Sequence, residues 1–127
     1  PVIWRGVEVH VVVVHLGLIH ASRVRQAERL AELVMHELPA GAPVVVAGDF
    51  NDWNEKLDGI LAEASLSRAT LGNEARVATY PSIIPVLSLD RVYMRGLHCK
   101  SIMVPRGSTW ARLSDHLPLV AELDLNT

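Results

Sequence analysis

The chain has 127 residues and a formal net charge of −2; 50% of its residues are apolar and 20% are charged. That length suits one domain with one core, and the apolar fraction excludes a disordered chain. The acidic balance argues against a general nucleic-acid binder with a basic face, and no apolar run reaches the roughly 18 residues that a spanning helix needs.

Residues 7–16 alternate at first and then become wholly apolar from Val11 to Val14. This predicts a strand moving from a half-exposed to a fully buried position. Ser22 is a candidate helix N-cap. From there to Leu38, the residues Val24, Ala27, Ala31, Val34, Met35 and Leu38 share one helical face, and Arg25, Arg29, Glu32 and His36 share the other. Pro39 and Gly41 stop the helix. Residues 44–47 predict a short central strand. Residues 56–66 predict a second amphipathic helix, with Leu57, Ile60, Leu61 and Ala64 inward. The polar stretch 72–76 reads as a loop, and 86–94, 100–104 and 117–125 read as strands, with Pro118 tolerated near the start of the last. The order β-α-β-α-β-β-β implies a layered α/β fold with helices on one face of a sheet. Two helices cover one face only, so the other has nothing in this chain to bury it.

Pro1 to Arg5 carry no signal-peptide pattern. The single cysteine, Cys99, has no internal partner and fits a reducing, cytoplasmic compartment.

Three apolar segments run into carboxylates. Val44-Val45-Val46-Ala47-Gly48-Asp49-Phe50-Asn51-Asp52 ends a buried strand in an acidic, amide-bearing turn. Gly48 permits a sharp turn or a close backbone approach. Asp49 can take a proton or hold a metal, and Asn51 can donate to a phosphate oxygen. The same residues also suit an ordinary turn. Leu89-Asp90-Arg91 sets an acid in an apolar strand, where a buried acid needs a partner. Neighbours on a strand face opposite sides, which disfavours a local Asp90–Arg91 pair. Ser114-Asp115-His116 sets a carboxylate beside an imidazole, and Asp90 is the natural group to orient His116 for acid–base work. The other reading of this motif is a Ser-Asp helix cap or a turn before the last strand. His15 closes the first strand on the face of Val11 and Val13, a position open to a core residue as well as to a functional one. His10, His20, His36 and His98 have no comparable setting, and the histidine and cysteine spacings do not suit structural zinc.

Taken in order, the strand ending in His15-Leu16, the helix with Arg25-Gln26, GDFND at 48–52, Thr79-Tyr80-Pro81-Ser82, LDR at 89–91 and SDHLPL at 114–119 resemble the endonuclease/exonuclease/phosphatase superfamily of deoxyribonuclease I-like phosphoesterases. The resemblance covers nearly the whole chain but only the C-terminal half of a family domain. The family's Gln-Glu metal motif does not occur here, since Gln26 is the only glutamine. It implies half of a four-layer α/β sandwich: a mixed β-sheet with helices on one face, spanning 1–127. It implies hydrolysis of phosphate esters with Mg²⁺ or Mn²⁺. Asp49 would orient or deprotonate water, Asn51 would bind a phosphate oxygen, and His116, oriented by Asp90, would stabilise the phosphate's charge. His15 would assist near the leaving group, and Asp115 with Asp49 would hold the metal. Two carboxylates suit a hard cation that also binds substrate phosphate.

The substrate class stays open among nucleic acid, phospholipid and small phosphate esters. Trp53 and Trp110 suit either apolar walls for a base or lipid, or plain packing. The resemblance also implies a poor catalyst in isolation, whose uncovered sheet face takes a missing N-terminal half or a homodimer. The rival function is a non-catalytic interaction module that keeps the fold without the chemistry.

Overall fold

The computed structural model describes residues 1–71 and 77–127; the loop expected at 72–76 lies outside them. The elements are β1 (Val2–Trp4), β2 (Val7–His15), α1 (His20–Glu32) with a π-helical turn at Leu33–Glu37, β3 (Val44–Asp49), α2 (Asp58–Ala62), β4 (Ser67–Arg68), β5 (Asp90–Arg95), β6 (Leu97–Met103), α3 (Ser108–Leu113) and β7 (Val120–Leu125). Five strands form one sheet in the order β1-β2-β3-β5-β4, and β6 and β7 form a separate antiparallel pair. The β2–β3 pair is parallel, joined through α1, while β3–β5 is antiparallel, so the sheet is mixed.

Side chains alternate across a strand, and the register sorts this sheet into two unlike faces. Val12 and Val14 of β2, Val44 and Val46 of β3 and Tyr93 of β5 join Ala27, Leu30, Ala31 and Val34 of the helix, and Leu57 and Leu61, in one apolar core. The opposite face of β2 is open. Val11 is 48% and Val13 is 79% exposed, which corrects the expectation that Val11 to Val14 are buried on both sides. It matches the expectation of a sheet covered on one face only. Over β3 and β5 the same face is partly roofed: Leu117, Pro118 and Leu119 border a crevice with Ala47 and Val92.

Several boundaries shift from the sequence reading. The first helix begins at His20 after Ile19, not at a Ser22 cap. Its π-helical turn changes the phase of the apolar face, and Met35, expected inward, is exposed. The second helix is shorter than 56–66, yet Leu57, Leu61 and Ala64 are buried as expected. The strand expected from 86 begins at Asp90, so Asp90 opens a strand rather than lying inside one. Val86 is exposed, and Leu87 is instead bridged to Tyr80. The strand expected at 100–104 occupies 97–103, and the last strand begins at Val120 rather than at 117. The short β1, β4 and α3 are additional to the expected order β-α-β-α-β-β-β.

Gly48 permits a close approach of β3 to β2. Its φ is +145°, and a Cβ there would lie 1.9 Å from the carbonyl oxygen of Val14. A residue with a side chain would push β3 away from β2 where the polar groups begin.

Candidate functional site

The ladders bring three separated segments abreast. His15 of β2 pairs with Asp49 of β3, and Asp49 pairs with Asp90 of β5. Residues opposite each other in a ladder point to the same face, so one imidazole and two carboxylates stand in a row at one sheet rim. They share the face of Val11, Val13, Val45, Ala47 and Val92. His15 is therefore exposed, not a core histidine, and its Nε2 lies 3.8 Å from Asp49 Oδ2.

His116 enters this row from the last loop. Its Nδ1 donates to Asp90 Oδ2 at 2.5 Å, and its Nε2 lies 3.6 Å from Asp49 Oδ2. Burial alone would lower the pKa of this imidazole. The hydrogen bond and charge of Asp90, aided by Asp49 and Asp115, outweigh that and hold it above the ordinary histidine value. Asp90 is fixed in turn by Thr79, fully buried, whose hydroxyl donates to the same Oδ2 at 2.7 Å. The backbone of 79–82 clamps the histidine loop: Leu117 N–H donates to Thr79 O at 2.7 Å, and Ser82 N–H donates to Asp115 O at 2.8 Å.

The turn after β3 is self-bracing. Asp49 Oδ1 accepts the Asn51 N–H at 2.9 Å, and the Asn51 side-chain amide donates to Leu16 O at 2.6 Å. Asn51 takes a left-handed conformation, φ +48°, which Asn tolerates better than most residues. One amide N–H, expected to face a phosphate, is thus engaged with the β2–α1 loop. That loop is also held from α1. Buried Arg23 donates to Leu18 O at 2.5 Å, and Gln26 Oε1 accepts the Gly17 N–H at 2.9 Å.

An open cleft of about 610 Å³ joins these groups. His15, Asp49, Asn51, Asp115 and His116 line it, together with Leu16, Leu18, Trp53, Tyr80 and Leu89. The Asp49, Asp90 and His116 ligand atoms lie within 4.8 Å of one another. Two carboxylates and an imidazole are a donor set that a divalent cation accepts. Asp90 Oδ2 is engaged by His116 and Thr79, and Asp49 Oδ1 by the Asn51 N–H. Asp115 is exposed and outside the compact trio.

Arg91, beside Asp90, points into the other face. Its side chain is wholly buried, paired with Asp52 at 3.0 Å and Glu55 at 3.3 Å. Its Nη2 also donates to the Asp52 carbonyl oxygen at 2.8 Å, and its Nε to the Ser88 carbonyl at 2.9 Å. Asp52 Oδ2 accepts the Leu57 N–H at 3.0 Å. Burial pushes the Asp52 pKa up, but bonds from the backbone of Lys56 and Leu57 and from Arg91 outweigh it and hold the value below normal. Asp52, Thr79, Arg91 and Tyr80 all lie inside or next to the motifs, yet their roles were not foreseen. Strand alternation was the available signal for Arg91, since the residue beside an inward-turned acid must face the opposite layer.

The sequence model of the Endonuclease/Exonuclease/phosphatase family matches residues 2–116. The chain belongs to that family. It is 44% identical over 122 residues to the uncharacterized protein YbhP of Escherichia coli (strain K12), covering 94% of this chain and 48% of that protein. The chain therefore spans about half the length of the curated relatives it matches. Solved structures share the fold. A functionally unknown conserved protein from Enterococcus faecalis superposes with a TM-score of 0.72 at 22% identity, covering 91% of this chain and 50% of that one. A mannosyl-6-phosphatase of Bacteroides thetaiotaomicron superposes at 0.69 and 20% identity, covering 95% and 53%. The human Nocturnin catalytic domain, solved with a bound sulfate anion, superposes at 0.59 and 21% identity, covering 90% and 46%.

Proposed function

We propose that this chain supplies the Asp/Asn/His part of a metal-dependent phosphoester hydrolase site, with Mg²⁺ or Mn²⁺ as cofactor. The observation that carries the reading is the row of His15, Asp49 and Asp90 across adjacent strands, joined by a His116 that bridges Asp90 and Asp49. Family membership supplies the reaction class, since the family's enzymes are hydrolytic phosphoesterases that generally use divalent metals.

Asp49 holds the attacking water and takes its proton. Asp90 fixes the His116 tautomer with Nδ1 protonated and leaves Nε2 toward the cleft. The charge and hydrogen bond of Asp90 favour the protonated imidazole, whose Nε2–H can donate to a phosphoryl oxygen as charge builds there. His15, exposed beside Asp49, is placed to serve the leaving oxygen. Asn51 holds the Leu16 carbonyl and so fixes the wall that the phosphate approaches. Asp49 and Asp115 are the residues that would hold a cation. When bound, it would add Lewis-acid stabilisation of the phosphate's negative charge.

The open face of β2 calls for a cover. The relatives' length, about twice that of this chain, supports a second half packing on Val11 and Val13, with a homodimer through the same face as the other arrangement. Among the described residues, no helix is long and apolar enough to cross a membrane.

The test is hydrolysis of bis-p-nitrophenyl phosphate and p-nitrophenyl phosphate by the protein at its relatives' length, with Mg²⁺, with Mn²⁺ and with EDTA. Metal-dependent turnover that Asp49→Ala and His116→Ala abolish is the expected result. Turnover indifferent to EDTA, or to both substitutions, would sink the reading.

A further inference from the structure

Two aromatic rings in the cleft have no part in the chemistry above. Trp53 is 52% exposed, although the two residues before it, Asn51 and Asp52, are 7% and 1% exposed. Its ring centroid lies 6.0 Å from that of Tyr80, with the planes tilted by 58°. Tyr80 lies in turn 4.9 Å from the His116 ring. Both aromatics line the same cleft as Asp49 and His116, with Leu16, Leu18 and Leu89 among the other apolar lining residues.

This exposure is held in place from behind. Arg91 grips Asp52 through both its carboxylate and its carbonyl oxygen. Asn51 is tied to Leu16 on the other side of the turn. The backbone entering Trp53 is therefore fixed, and the indole lies half exposed beside the cleft. An indole free to move would bury its apolar surface, worth about 25 cal/mol per Å². Tyr80 is fixed as well, by paired backbone bonds with Leu87. The result is a wall of two rings, with the Tyr80 ring packed against the His116 imidazole.

We propose that Trp53 and Tyr80 form a ring-binding subsite, so that the preferred phosphoester carries a planar aromatic group of nucleobase type beside its phosphate. The proposal rests on the phosphoesterase reading for the position of the phosphate. A base has a flat π-face that an aromatic side chain recognises without base-specific hydrogen bonds. Offset or tilted ring contacts of this kind are favoured over a face-to-face sandwich. Among the described residues, the lining carries two aspartates and neither lysine nor arginine. Tracking a long polyanion needs such cations, so a mononucleotide-sized ester fits better than a strand.

The test is equilibrium binding of adenosine 5′-monophosphate and of ribose 5-phosphate to the protein at its relatives' length, in Mg²⁺ buffer, measured by calorimetry. The two ligands share the phosphate and sugar and differ in the base. Adenosine monophosphate is expected to bind about 10-fold tighter, the scale of one base stacked on an aromatic ring. Trp53→Ala should erase that preference and leave ribose 5-phosphate affinity within about 2-fold, while Trp53→Phe keeps most of it. Equal affinities in the unaltered protein, binding of neither ligand, or equal weakening of both by Trp53→Ala would overturn the subsite. Binding reads it without turnover. A base preference that depends on Trp53 in a protein that cleaves no phosphoester would retain the subsite and remove the hydrolase reading. Turnover with no base preference would do the reverse.

Discussion

Replacing Arg91 with Met tests whether the buried ion pair is what joins the two acidic motifs. The guanidinium is fully buried, and it holds Asp52 through the carboxylate at 3.0 Å and the carbonyl at 2.8 Å. It also donates to Ser88 O and to the Tyr93 hydroxyl. Met fills much of the same volume, so the cost comes from charge. Asp52 would keep its carboxylate in the core, where its Oδ1 already has no hydrogen-bond partner. Removing one member of a buried pair costs about 3–5 kcal/mol. With a urea slope near 2 kcal/mol per M, the unfolding midpoint should fall by about 1.5–2.5 M. Asp52→Asn in the same chain keeps an acceptor for the Leu57 N–H and removes the stranded charge. The double variant should therefore be more stable than Arg91→Met alone, by about 1–2 kcal/mol. The sign with pH is fixed too. The Asp52 pKa is lowered in the folded protein, so its stabilisation is present above the unfolded value and is lost as pH falls through the folded one. In Arg91→Met the folded value rises, and the gap between variant and unaltered protein should narrow as the carboxyl protonates. Urea unfolding followed by circular dichroism, at neutral and at acid pH, reads all three effects. A cost under about 1 kcal/mol, or a double variant no more stable than the single, would show that the pair is not the latch.

Asp90→Asn should lower the His116 pKa, read from the imidazole resonances in an NMR titration, and His116→Ala or Asp90→Asn should cut turnover by about 100-fold or more with the fold intact. Because the His116 value is raised on folding, the Asp90–His116 pair stabilises fully below the unfolded imidazole value and less as pH rises through the folded one. Asp90→Asn should thus cost more at pH 5 than at pH 9 in urea unfolding, and a cost independent of pH would contradict the pairing. Gly48→Ala should lower stability by about 2 kcal/mol or more, since its methyl meets the Val14 carbonyl at 1.9 Å; an unchanged unfolding midpoint would show that β2 and β3 part freely. If the face of Val11 and Val13 is covered by another copy, light scattering on this chain should give a dimer that Val13→Lys reduces to a monomer; a monomer before substitution would exclude that cover.

Much of the fold was legible because two periodicities are written plainly in the chain. The apolar spacing from Val24 to Val34 fixed which side of α1 meets the sheet, and Ala27, Ala31 and Val34 are buried as that spacing requires. The four valines from Val11 to Val14 were not legible in the same way. A continuous apolar run fits a strand buried on two faces or a strand with one face left open, and composition cannot separate them. Only the sheet order and the position of the helices show Val13 on the open side. The boundaries failed for local reasons. The π-helical turn at Leu33–Glu37 has no distinct residue signature, so Met35 was assigned one face and took another. Val86 and Leu87 precede the strand because their backbone pairs with Thr79 and Tyr80, a contact that local composition does not reveal.

The site divides along the same physical line. His15, Asp49 and Asp90 could be named from sequence because each ends or opens an apolar segment, and such ends gather at a rim. That they stand in one row depends on ladder register, which no single segment contains. His116 seeking Asp90 was also inferable, since Asp115 beside it in an extended chain points elsewhere. The partner of Arg91 was not. Its neighbour Asp90 faces the cleft, so alternation sends the guanidinium to the opposite layer, but three acids lie within reach of it there: Asp52, Glu55 and Asp58. Choosing Asp52 requires knowing that the turn after Asp49 curls back through a left-handed Asn51 and delivers the next carboxylate inward. The same turn sends Trp53 outward. One reversal of the chain therefore puts Asp49 in the cleft, Asp52 in the core and Trp53 beside the cleft, and Arg91 grips the middle of it. A well-packed apolar pair would stabilise the core as well, so what the Arg91–Asp52 pair adds is the position of its neighbours, Asp90 facing the cleft and Trp53 beside it.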